Sequence, residues 1–272
     1  MYSSTFRALI NEAQFTSDIL GAGATQIRQG NYAKKGLYFQ AFTSLSTGLE
    51  RIGKLCLMLD YYLDNNSKFP DFKFLKNNIG HDLELLYQKS QEVIKKRNLN
   101  LNWMNKFDDP IRLNIISILS TFAKGDRYSN INILVNAKQQ GDPIAAWFEK
   151  VDLPLFDERV SSKKKDRISH NARVFEALTA RFTSVNHTSE TGTHIDSVLE
   201  ASFRSGLEEA VLPYRQLYIL QIIRYWVVIL WELQMLAMVN GGNEDIPHFS
   251  EIFATFYNED RYFKSRKTWD NF

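Results

Sequence analysis

A single cysteine, Cys56, stands in 272 residues. One thiol excludes a disulfide framework within the chain and leaves no cysteine set for a zinc site. Cys56 sits in an apolar run, where a small core residue is expected. Charge of one sign is equally scarce: 33 Lys and Arg against 31 Asp and Glu give a formal net charge of +2. A general polyanion binder carries a stronger basic excess, so any contact with nucleic acid has to be local. A glycine-rich phosphate loop, HExxH, CxxC, an EF-hand loop and GxSxG are all missing. Their absence removes the commonest nucleotide, zinc-protease and hydrolase chemistries. Internal repeats and low-complexity segments are also missing. The stretch MYSSTFRALINEAQF shows neither the basic start nor the apolar run of a secretory signal, so a cytoplasmic protein is expected.

What is present reads as globular and helical. Apolar residues make up 44% of the chain and charged residues 24%, outside the disordered range. Phe42, Leu45, Leu49, Ile52, Cys56, Leu59 and Leu63 alternate spacings of four and three, which predicts one long helix over 38–63 with a single apolar face. Further helices are expected over 4–20, 80–97, 110–124, 143–150, 166–182 and 247–258. Asp109-Pro110 and Asp142-Pro143 each place a capping carboxylate before a proline suited to the first helical position. GAGATQIRQGNY at 21–32 reads as a turn, and SVNHTSETGTH at 184–194 as a loop. Pro213 is expected to interrupt a helix that starts at 194, and Asn240-Gly241-Gly242-Asn243 to stop the apolar helix 214–239.

That apolar helix is the one stretch long enough to cross a bilayer. Gln221, Arg224 and Glu232 fall within a sector of roughly 80° on it, and charges deep in lipid cost several kcal/mol each. The narrow stripe predicts a central helix of a bundle, or one buried at a dimer contact, and no membrane span. The seam of 38–63 is the other candidate dimer surface. SSKKKDRISH at 161–170 reads as a polar connector between two halves, 1–160 and 161–272, which form either separate units or one continuous domain. The fold class expected is all-α, a multi-helix bundle.

Candidate chemistry is sparse. Lys163, Lys164 and Lys165, with Arg159 and Arg167, form a basic run able to touch phosphates. The same run suits a solvated loop. His187 and His194 share a loop with Glu190 and Asp196 close by, but their spacing fits no standard metal-ligand pattern. No metal and no cofactor are expected.

The run KKGLYFQAFTSLSTGLERIGKLCLMLDYYL, followed by GHDLELL, resembles the HEPN helical superfamily over residues 1–140. That resemblance implies a dimerising helical bundle that interacts with RNA. It also implies a metal-independent endoribonuclease of the kind found in toxin–antitoxin and antiphage systems. In such a site an arginine followed after four to six residues by a histidine holds the scissile phosphate, while the histidine moves protons. Helix order places the motif at Asp126-Arg127-Tyr128-Ser129-Asn130, but positions 132–134 hold Asn132, Ile133 and Leu134. Asp126, Arg127 and Asn130 are left as a phosphate-contacting cluster or as a helix-end turn. Arg181 and His187 match the spacing elsewhere and are the candidate catalytic pair. Two functions stay open: an RNA-interacting, HEPN-type protein or ribonuclease, and a non-catalytic helical protein that dimerises or binds a protein partner.

Overall fold

The computed structural model describes residues 2–104, 106–137, 141–241 and 245–269. In chain order its helices are α1 (Ser4–Ile27), α2 (Lys35–Asp64), the single turn α3 (Phe72–Phe74), α4 (Leu83–Arg97), α5 (Pro110–Lys124), α6 (Ser129–Leu134), α7 (Pro143–Trp147), α8 (Leu153–Arg159), α9 (Ser162–Thr179), α10 (Val198–Gly241), α11 (Phe249–Ile252) and α12 (Asp260–Ser265). A π-turn, Phe148–Asp152, joins α7 to α8. Among the described residues the only sheet is an antiparallel pair of two-residue strands, β1 (His187–Thr188) and β2 (His194–Ile195). The chain is an all-α multi-helix bundle.

The α2 seam builds the core. Phe42, Leu45, Leu49, Ile52, Cys56 and Leu59 are buried, and Leu63 is partly so. Each fully buried large apolar side chain stabilises by about 1.5–3 kcal/mol. α2 packs on α1, α4, α5 and α10. Cys56 lies within 3.6 Å of the Trp226 carbonyl on α10, and burial pushes its thiol pKa up. α10 is the hub, touching α1, α2, α5, α8, α9, α11 and α12. Both faces expected at a dimer contact are therefore used within the chain. By length and composition α10 is apolar enough to cross a membrane, and 67% of its most apolar stretch is buried against the rest of the bundle.

Two of the three residues in the polar stripe of α10 are bonded within the bundle. Gln221 accepts from Arg112 of α5 at 2.5 and 3.2 Å and donates to Asp260 of α12 at 2.8 Å. Arg224 donates to Asp260 at 2.9 Å and to the Asn258 carbonyl at 2.6 Å. Glu232 is half-buried.

The Asp-Pro starts behave as the sequence requires. Asp109 accepts from the N–H groups of Ile111 and Arg112, and Asp142 from those of Ile144 and Ala145. The Gly-His-Asp-Leu turn has a structural reason. Gly80 adopts φ +75°, a region favouring glycine. Asp82 caps α4, accepts from Ser120 at 2.9 Å and pairs with Lys124 at 2.5 Å. One carboxylate thus starts α4 and ties it to α5.

Three expectations are overturned. Residues 21–27 are helix, not turn. Gly21 and Gly23 serve close packing: a Cβ on Gly21 would overlap the Trp269 carbonyl oxygen, and one on Gly23 would lie 2.7 Å from Leu45 Cγ. Pro213 lies inside α10 without ending it. The lost N–H bond is outweighed by packing along both halves of the helix. The basic run at 161–170 is not a connector: Ser161 caps α9 through the Lys164 N–H, and the helix begins at Ser162. Two smaller shifts follow. His194–Ile195 form a strand and α10 starts at Val198, while α7, the π-turn and α8 carry helical structure on to Arg159. Gly242 and Asn243 of the expected stop lie outside the described residues.

Candidate nucleic-acid interface

The α8–α9 corner faces the Pro213 region of α10 and the C-terminal strap, residues 260–269, which includes α12. There Arg159, Ser161, Lys164, Pro213, Tyr214 and Lys264 line a groove of about 410 Å³. Three local causes assemble it. The Ser161 cap sets the first turn of α9, from which Lys164 joins the lining of the groove. Pro213 leaves the Glu209 carbonyl without its helical partner, because proline has no N–H. Arg28, the C-cap of α1, holds the strap by donating to the Lys264 and Arg266 carbonyls at 2.8 and 3.3 Å, which places Lys264 on the rim. Lys264 Nζ stands 5.5 Å from the centre of the Tyr214 ring.

The electrostatics favour an anion. Arg159 donates to Tyr218 at 2.8 Å from Nε and stands 3.9 Å from Asp109. Its pKa is raised, first by the Tyr218 hydrogen bond. Glu209 supplies an opposing carboxylate to the lining. Three cationic side chains thus stand together beside an aromatic ring, against one carboxylate.

The expected basic residues divide here. Lys164 lines the groove. Lys165 turns back to the Asp157 carbonyl at 3.0 Å and sits over the Phe156 ring. Lys163 and Arg167 are exposed on α9. Lys264 and Tyr214 were not legible as site residues, because the strap that carries Lys264 reaches the groove only through tertiary contacts.

The other candidates lie apart. Arg127 donates to the Ala123 carbonyl at 3.0 Å and lies over Tyr128, so it closes the end of α5. The Asp126 carboxyl is raised by burial, and Asn130 is exposed. Arg181 is exposed just past α9, and His187 is exposed on β1 with its ring edge-on to Tyr32 at 5.6 Å. A neighbouring groove of about 320 Å³ is lined by Tyr32, Phe175, Val185 and Ser205 among others, with neither Arg181 nor His187 in the lining. Among the described residues no three of His, Cys, Asp and Glu form a metal-binding group.

A second polar centre, wholly interior, escaped the sequence reading. Arg215 of α10 donates to Asp152 at 2.6 and 2.7 Å and to the Gly30 carbonyl at 2.7 Å. The Trp147 indole also donates to Asp152, at 3.1 Å. Burial raises the Asp152 carboxyl to about 6 against the pull of Arg215. Glu190, on the β1–β2 hairpin, pairs with Arg204 at 2.9 Å. Glu208 accepts from the Tyr32 N–H at 2.7 Å. Among the described residues the buried Tyr38 hydroxyl has no hydrogen-bond partner.

No protein-family model, curated protein or solved structure matches the chain.

Proposed function

We propose that the chain is an RNA-interacting protein of HEPN type that holds RNA backbone in the α8–α9–α10 groove. The observation that carries this is the convergence of Arg159, Lys164 and Lys264 on one groove beside Tyr214. A net charge of +2 demands a local site, and this groove provides one. The resemblance of 34–63 and 80–86 to HEPN helices supplies the nucleic-acid class. In the same reading Arg181 and His187 form the metal-independent cleavage pair, the protein acts as a homodimer, and its setting is a toxin–antitoxin or antiphage system in the cytoplasm.

A second reading, a non-catalytic protein that binds a protein partner, is favoured by the apolar face at the end of α9. Leu178 is 70% exposed and Phe182 88%, with Val174 and Phe175 beside them. A cluster of this kind marks protein contact surfaces.

Purified protein incubated with labelled single-stranded RNA and tRNA in EDTA separates the two. RNA binding that weakens in Lys164→Glu and Lys264→Glu supports the groove. Cleavage lost in Arg181→Ala and His187→Ala supports the catalytic pair, and cleavage unchanged in both removes it. Absence of both binding and cleavage leaves the partner-binding reading.

A further inference from the structure

Three carboxyl groups and two guanidinium groups meet inside the bundle. Asp152 comes from the π-turn, Glu190 from the hairpin, and Glu208, Arg204 and Arg215 from α10. Arg215 neutralises Asp152, and Arg204 Nη1 neutralises Glu190 through Oε2 at 2.9 Å. Glu208 is left over. One of its oxygens takes the Tyr32 N–H, and its carboxyl faces Glu190. Glu190 Oε1 is fully buried and has no hydrogen-bond partner among the described residues. A buried polar oxygen left without a partner costs about 1–3 kcal/mol, and two bare carboxylates in contact repel.

One proton resolves both problems. We infer that Glu208 carries a proton on its second oxygen and donates it to Glu190 Oε1, and that this hydrogen bond latches the His187–Ile195 hairpin onto α10. The pairing agrees: Arg215 is taken by Asp152, and Arg204 is divided between Glu190 and the partly exposed Glu200, so neither guanidinium is free to neutralise Glu208. Arg204, already on Glu190 Oε2, keeps the proton on Glu208. Burial first, and Glu190 next, push the Glu208 carboxyl up to about 9.

The other groups facing the pair are accounted for. Arg204 is also held by Glu200 at 3.0 Å. Tyr38 of α2 lies beneath Arg215, 5.1 Å from ring centre to guanidinium carbon, with its hydroxyl pKa raised by burial. Lys35 Nζ, at the start of α2, donates to the Ser189 carbonyl at 2.6 Å. It gives the hairpin a second tie, to α2, so losing the proton loosens the hairpin without freeing it.

Two readings on the full chain test the latch, taken between the titrations of Asp152 and Glu208. Infrared spectroscopy reads the C=O stretch of a protonated carboxyl. Hydrogen exchange, corrected for intrinsic rate, reads protection of the Ser189 and Thr193 amides, which are bonded inside the hairpin. The wild type is expected to show the protonated-carboxyl band and to lose hairpin protection as the pH passes about 9. Glu208→Gln should lose the band yet keep its protection level across that range, because its amide still donates to Glu190. Glu190→Gln, the second variant, should also lose the band. The latch is overturned by a wild type without the band, a band that persists in both variants, or wild-type protection that ignores pH. The wild-type readings decide the matter even if neither variant folds.

Discussion

Arg215 and Asp152 form a two-pronged ion pair, 2.6 and 2.7 Å long, with both side chains fully withdrawn from solvent. The pair joins the centre of α10 to the turn between α7 and α8, and through the Gly30 carbonyl to the segment after α1. Removing one partner of such a pair strands a buried charge. Asp152→Ala is expected to cost about 3–5 kcal/mol in chemical denaturation. Replacing both residues with apolar groups of similar volume should recover most of that loss. A cost within 0.5 kcal/mol, about the level of a neutral surface substitution, would contradict the structural role of the pair.

The interior carboxyls give the stability a definite pH slope. Burial raises Glu208 from 4.5 to about 9 and Asp152 from 3.8 to about 6. Each holds a proton in the folded state that the unfolded chain has already released. Stability therefore falls as pH rises from 4.5 towards about 9 for Glu208, and from 3.8 towards about 6 for Asp152. The slope is at most about 1.4 kcal/mol per pH unit for each proton. Asp82 works in the opposite sense. Burial raises its pKa, but the bonds from Lys124 and Ser120 outweigh that and hold it low. Its contribution is present above the ordinary carboxylate range and lost on acidification. Denaturation midpoints across pH should decline on the alkaline side, and Glu208→Gln should flatten that decline.

Gly21 provides a test with a sign. In an exposed helix interior, Gly→Ala stabilises by about 1 kcal/mol. Here the added methyl would meet the Trp269 backbone, on a strap also fixed by the Trp269 N–H to Thr25 at 2.8 Å. Gly21→Ala is expected to destabilise by about 1–3 kcal/mol and to loosen the strap, measured by thermal denaturation and by quenching of Trp269 fluorescence. A stabilised variant would show that the strap does not pack on α1 as described.

The helices written in local pattern were legible in the sequence. The four–three spacing of α2 named its buried face, and Asp109 and Asp142 announced their helix starts through the proline that follows each. Signals with two physical uses were misread. Gly21 and Gly23 suit a turn as well as a close helix contact, and only the positions of Trp269 and Leu45 decide between them. Pro213 ends most helices, yet α10 is anchored on both sides of it. The interior centre stayed hidden because its members meet only in the fold: Glu190 drew notice only as a neighbour of His187 and His194, and Asp152 and Arg215 are far apart along the chain. The basic run of α9 was seen, but Lys164 was separated from Lys163, Lys165 and Arg167 only by helix geometry. The nearest available hint was that Lys164 follows Ser161 at capping distance.

The central claim, RNA held by Arg159, Lys164 and Lys264, is tested most directly by the salt dependence of binding to a short labelled single strand. Each phosphate contact contributes about −0.7 to the slope of log affinity against log salt. The wild type should therefore show a slope near −2, and Lys164→Ala and Lys264→Ala should each bring it closer to zero by about 0.7. A wild-type slope indistinguishable from zero, or one unchanged in both variants, would place the RNA elsewhere or remove it from the account.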